Sequence, residues 1–139
     1  MTLTALDFKL ELVPVPTSDV DRAKAFYEQA GFVCDVDTGL NNGFRVVQLT
    51  PPGSACSICI GVGIVGTTPG SVQGLQLVVL DIDAARAELV ERGIDVGPVR
   101  HFENGVWSEG KGGPWNSFAN FEDPDGNSWV LQETPNQPN

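Results

Sequence analysis

Positive charge is scarce in this chain: eight Lys plus Arg stand against eighteen Asp plus Glu, for a formal net charge of −10. Phosphate backbones and anionic lipid surfaces are gripped through cations, so neither nucleic acid nor a membrane is an expected partner. There is one histidine, His101. A metal centre built from several imidazoles is therefore excluded, and a single side chain titrates naturally near neutrality. Three cysteines, Cys34, Cys56 and Cys59, make an odd count without a secretion signal, so no disulfide framework is expected. No apolar run approaches the ~18 residues of a membrane-spanning helix. The first residues lack the basic-then-apolar order of a signal peptide, and the expected location is the cytoplasm. Gly-x-Ser-x-Gly is also missing, which with one His leaves nucleophilic hydrolysis without support.

What is present suits a single domain spanning 1–139, with 41% hydrophobic residues. Leu10 to Pro16 reads as an edge strand with two prolines. A helix follows, capped by Ser18 or Asp19, with Val20, Ala23, Phe26, Tyr27 and Ala30 at helical spacing and Gly31 as its stop. Strands are expected over 32–36, 44–49 and 55–60, the last two joined by Pro51-Pro52-Gly53. Asp123-Pro124-Asp125-Gly126 supplies a second reversal of this kind, leading into an extended stretch from Ser128 to Glu133.

The plan is written twice. Asp19, Val20, Asp21, Ala23, Ala25 and Gly31 fall on Asp81, Ile82, Asp83, Ala85, Ala87 and Gly93 at one constant offset, and Pro52-Gly53 falls on Asp125-Gly126 at a larger one. Each half is thus strand, helix, three strands, and the second holds about eleven extra residues between helix and last hairpin. A βαβββ unit cannot bury both its helix and its short sheet alone. The expected fold is α+β: two tandem βαβββ modules, about 9–60 and about 73–134 with a linker over 61–72, forming a curled eight-stranded half-open barrel with helices outside.

Pro16 to Phe32, the echo from Val79 to Leu89, and Asp123-Pro-Asp-Gly-Asn127 together resemble the vicinal oxygen chelate superfamily, which holds glyoxalase I, extradiol dioxygenases, and fosfomycin- and bleomycin-resistance proteins. The resemblance covers nearly the whole chain. In its enzymes it implies a divalent metal held by His or Glu on the first and last strands of each module, and those positions land near Leu12, Ser57, Gly74 and Val130. None of these is a ligand; slips of register bring in Glu11, Gln73, Gln76 or Gln132. No cofactor is expected, and a divalent metal on altered donors such as Glu11, His101 and Glu133 is the minor alternative.

Two strings mimic other chemistries. Gly61-x-Gly63-x-x-Gly66 matches a dinucleotide fingerprint, but no helix can start behind it to meet a pyrophosphate, so it is read as linker. Cys56-Ser-Ile-Cys59 lies in an alternating strand, where three-residue spacing sends the sulfurs to opposite faces, so the cysteines are read as small hydrophobes.

His101, opening the segment without a counterpart in the first half, is the candidate acid or base. Glu103, Trp107, Glu109, Trp115 and Asn116 follow in what reads as a Gly-rich loop, a lid or an interface for a flat ring. Strand alternation adds Ser57, Gln76, Ser128 and Gln132, and Glu11 is a cavity carboxylate candidate. The expected ligand-binding set is therefore Glu11, Ser57, Gln76, Trp107, Trp115, Ser128 and Gln132, with a small, organic, aromatic partner and a homodimer as the assembly. The first reading is a metal-free sequestering protein. Its rival is an enzyme, either a metal-free isomerase, lyase or cyclase using His101 or Glu11, or a glyoxalase-like or dioxygenase-related metalloenzyme with altered ligands. A purely structural dimerisation module is the third.

Overall fold

The computed structural model describes residues 6–135. Both helices begin on an aspartate whose extended backbone lets its carboxylate accept an orphan N–H of the first turn: Asp19 from Arg22 at the head of α1 (Val20–Gln29), and Asp81 from Ala84 at the head of α2 (Ile82–Glu91). Each ends before a glycine with φ near +100°, Gly31 at +106° and Gly93 at +86°, a region a Cβ would make costly. Val20, Ala23 and Tyr27 form the buried stripe of α1, whereas α2 buries only Ile82.

The strands form two sheets. In the first, β1 (Leu12–Pro14) runs parallel to β4 (Ser57–Val62), followed by β3 (Arg45–Thr50) and β2 (Val33–Gly39), in the order β1-β4-β3-β2. In the second, β5 (Leu75–Val79) runs parallel to β9 (Ser128–Glu133), followed by β8 (Phe118–Glu122), β6 (Arg100–Glu103) and β7 (Val106–Glu109). The helix in each module carries the crossover that a parallel pair requires. The α+β class and the two βαβββ modules are as the repeat implies. There are nine strands among the described residues instead of eight, because the extra residues of the second half fold into the β6–β7 hairpin. Also, β4 extends through Gly61 and Val62, so the connection between modules starts later than the glycine pattern suggests.

One core serves both modules. Val47, Leu49, Ile58 and Ile60 from the first sheet and Ala119, Phe121, Trp129 and Leu131 from the second all belong to it, with Ile82 and Tyr27 from the helices. Trp129 stacks on Phe121, and Tyr27 meets Trp129 edge-on with ring centres 5.8 Å apart. Helix α1 therefore packs on its own sheet and also against its neighbour's, so the helices stand behind each sheet and the opposite sheet faces stay open.

The Asp123–Asn127 turn fastens this contact. Tyr27 Oη donates to Asp123 at 2.6 Å and accepts from Trp129 Nε1 at 3.0 Å. Asn127 Nδ2 donates to the Pro16 carbonyl and to Asp123, both at 2.8 Å. Thr17 and Ser18 hydroxyls donate to Asp125 from the approach to α1. Every buried side-chain N or O among the described residues has a partner.

Candidate functional site

Alternation decides what the open face of the second sheet offers. Trp129, Leu131, Ala119 and Phe121 point to the core, so Val130, Gln132, Phe118 and Asn120 point the other way. Gln76 and Val78, pairing with Val130 and Gln132, join them. Arg100 pairs with Phe118, which places Arg100 and Phe102 on the same face, and the hairpin register sets Trp107 opposite Phe102.

The result is an exposed aromatic group on the sheet. Trp107 lies 5.3 Å from Phe102 and 5.5 Å edge-on from Phe118, and the Arg100 guanidinium sits 4.4 Å from its ring. Trp107 and Phe102 remain 47% and 43% exposed, a large area for apolar rings held on a strand pair. Polar groups border it: Gln76 Nε2 donates to Gln132 Oε1, and Gln132 Nε2 donates to the Trp115 carbonyl at 2.9 Å.

Trp107 and Glu109 were expected in a loop; they lie on β7. The missed signal is Asn104-Gly105, both with positive φ (52° and 79°), the preferred two-residue turn of a tight hairpin. Only residues 110–117 remain as loop, and they are tied down. Asn116 uses its side-chain amide to accept from the Phe102 N–H at 2.9 Å and donate to the Phe102 carbonyl at 2.8 Å, extending a β6–β8 pairing that otherwise has the single rung Arg100–Phe118. Trp115 is held at φ +63°, half exposed, next to Gln132.

His101 falls on the other face, since it alternates with Arg100 and Phe102. Its Nδ1 meets the Gly110 carbonyl at 2.9 Å and its Nε2 meets Glu103 at 3.1 Å. These two acceptors, the carbonyl first, hold its pKa above the usual value. The structure does not bring it to Trp107, Gln76 or Gln132. Ser128 is on the open face, but its hydroxyl accepts from Gly74 N–H at 2.7 Å.

Ser57 sits on the other sheet, opposite Leu12 on the face away from the core. It shares a hydrogen-bonded row with Thr50 (2.6 Å), Gln48 (3.3 Å) and, through Thr50, Asp35. Cys59, two residues on, is buried, which raises its thiol pKa. Glu11 precedes β1 and is exposed; its carbonyl accepts from Ser57 N–H. Because the shared core occupies the helix side of both sheets, the two open faces do not meet within one chain, and Ser57 is separated from the second-sheet set.

The donor set does not suit the metal that the resemblance implies. The facing strand positions carry Leu12, Ser57, Gln76 and Val130. Glu133 is committed to Lys111 (2.9 Å) and to the Ile82 N–H (3.0 Å), away from His101 and Glu11. Among the described residues no three His, Cys, Asp or Glu side chains come together as a metal would need.

Two βαβββ modules back to back, each with an outward face rich in rings or short polar groups, define a scaffold of the chelate-barrel kind. The chain belongs to the Glyoxalase/Bleomycin resistance protein/Dioxygenase superfamily, whose family model matches residues 9–131. Among solved structures it is similar to TnmS3, an antibiotic binding protein from Streptomyces sp. CB03234, at 34% identity over 94% of this chain and 99% of that one, with a TM-score of 0.74. A glyoxalase/bleomycin resistance protein from the same Streptomyces strain is 36% identical over 89% and 99% of the two chains, with a TM-score of 0.69. A superfamily member from Sphaerobacter thermophilus DSM 20745 is 28% identical over 92% and 98%, with a TM-score of 0.71. The comparison with curated proteins gave no match. No helix among the described residues is long and apolar enough to cross a membrane.

Proposed function

We propose that this protein is a cytoplasmic binder of a small organic molecule, with a flat aromatic part laid on the Phe102–Trp107–Phe118 surface and no family-type metal involved. The observation that carries this is the half-exposed Trp107, fixed by two neighbouring rings and a guanidinium on the open face of a sheet. Gln76 and Gln132 orient polar edges of the ligand, and Trp115 borders it. A sheet face is a wall and not a pocket, so a second copy supplies the opposite wall. The open face of its first sheet, with Ser57, Thr50 and Gln48, meets the aromatic face, making a homodimer with the site between copies. The description of TnmS3 as antibiotic binding supports a sequestering role. A net charge of −10 favours neutral or cationic compounds at long range.

The test is titration of the protein with a panel of polycyclic aromatic antibiotics, followed by intrinsic tryptophan fluorescence, for the native chain and two variants. Trp107→Ala is expected to cost about 1–3 kcal/mol of affinity through lost ring burial. His101→Ala should leave affinity within a few fold. Unchanged affinity in Trp107→Ala would remove the proposed surface, and catalytic turnover lost in His101→Ala would make the protein an enzyme.

A further inference from the structure

The helix layer between the sheets contains a cavity, remote from both open faces. It has a volume of about 330 Å³, with Leu77, Val79 and Leu131 on one side, Phe32 and Pro52 on another, and α2 along its mouth. The asymmetry of the two helices explains it. At the repeat offset, α1 carries Phe26, Tyr27 and Ala30 where α2 carries Glu88, Leu89 and Arg92. The first helix plugs its position with two rings that reach Phe121 and Trp129. The second presents one leucine and two charged stems, so Leu77 and Val79, on the core face of β5, stay only half buried.

We propose that this crevice is a binding site for a small aromatic carboxylate of one or two rings. A cavity of ~150 Å³ already holds a benzene ring, so the volume here accommodates a fused pair. A ring placed there would cover Leu77, Val79 and Phe121 with the kind of contact that Phe26 supplies from α1. The acid group is specified by Arg92, whose guanidinium sits at the rim beside Gly31, donating to the Gln29 carbonyl at 3.4 Å and pairing with Glu88 at 3.1 Å. Glu88 also lines the crevice, but the pair is an exposed i,i+4 contact of the weak class, so an arriving carboxylate takes its place on Arg92 while Glu88 turns out to solvent. The protein's overall negative charge does not forbid this, because at contact the guanidinium dominates and distant carboxylates are screened within ~10 Å at ordinary ionic strength.

The probe is 2-naphthoate, added to methyl-labelled protein and followed by NMR. Saturable binding with nuclear Overhauser contacts to the Leu77, Leu89 and Leu131 methyls is expected. Leu89→Trp should abolish it by filling the space, and Arg92→Gln should weaken 2-naphthoate about fivefold or more while leaving 2-naphthalenemethanol within about twofold. If Leu89→Trp does not fold, the contact map of the native protein decides. The proposal is overturned by no saturable binding below roughly 1 mM, by equal loss of acid and alcohol in Arg92→Gln, or by contacts confined to the open-face methyls of Val78 and Val130. That last outcome sinks the crevice and leaves the aromatic face standing, so failures at the two sites are distinguishable.

Discussion

Tyr27→Phe isolates the polar latch between modules. The ring is fully buried and touches Phe26, Phe32 and Trp129, contacts that phenylalanine keeps without changing volume. What disappears is one hydroxyl with two jobs. Asp123 loses its 2.6 Å donor and retains Asn127 on the same oxygen, and Trp129 Nε1–H is left buried without its acceptor. A buried donor left unsatisfied costs about 1–3 kcal/mol, and a bond to a carboxylate is of similar worth, so a loss of roughly 2–4 kcal/mol is expected. For a chain of this size that lowers Tm by about 8–15 °C.

The pH profile gives a second readout. Burial and the neighbouring Asp123 hold the Tyr27 pKa far above the ordinary phenol value of 10.0. Its stabilising contribution is therefore complete below pH 10 and declines as the solution becomes more alkaline, a slope the phenylalanine variant lacks. Urea unfolding between pH 7 and 11 measures both. A loss under ~0.5 kcal/mol at pH 7, in a range normal for inconsequential surface changes, or identical alkaline slopes, would refute the latch.

Four further outcomes are expected from single sites. The His101 ring should titrate above its usual 6.5 in an NMR pH series, because the Gly110 carbonyl and Glu103 both favour the doubly protonated ring; any stability it adds is present below that value and lost as pH rises through the folded pKa. Glu103→Gln should move the midpoint down, and a native midpoint at or below 6.5 would contradict the geometry. Gly61→Ala should destabilise by about 1–3 kcal/mol or more, since a Cβ there would fall 2.1 Å from the Arg45 carbonyl oxygen and 2.6 Å from Ile64 Cδ1. Gly66→Ala, where a Cβ meets nothing within 4 Å, is its control and should unfold at the native urea midpoint.

The features legible in the residues alone are those whose causes are local. Asp19 and Asp81 cap helices, Gly31 and Gly93 end them, and Ser128–Glu133 alternates as a strand, because each depends on neighbours a few positions away. The β6–β7 hairpin is equally local in cause, since Asn104-Gly105 forms its turn, but the glycines from Gly110 to Gly113 lend the whole segment the composition of a loop. The face of His101 could not be read without the Arg100–Phe118 rung, since a shift by one residue exchanges His101 with Phe102. The turn at Asp123–Asn127 was legible as a turn and not as a latch. Nothing near it in sequence shows that Pro16, Thr17, Ser18 and Tyr27 would be its partners. For the same reason, alternation picks out Ser57 and Gln132 as outward-facing but is silent on which wall each belongs to.

That latch also has a bearing on synthesis. Ser18 and Asp125 are 107 positions apart, so the side of Tyr27 that meets Trp129 gains its cover only once the final hairpin has been made. A nascent chain ending before the final hairpin would show Tyr27 and Phe32 as a sticky stripe. The hairpin of β8 and β9 thus shields rings that were made long before it.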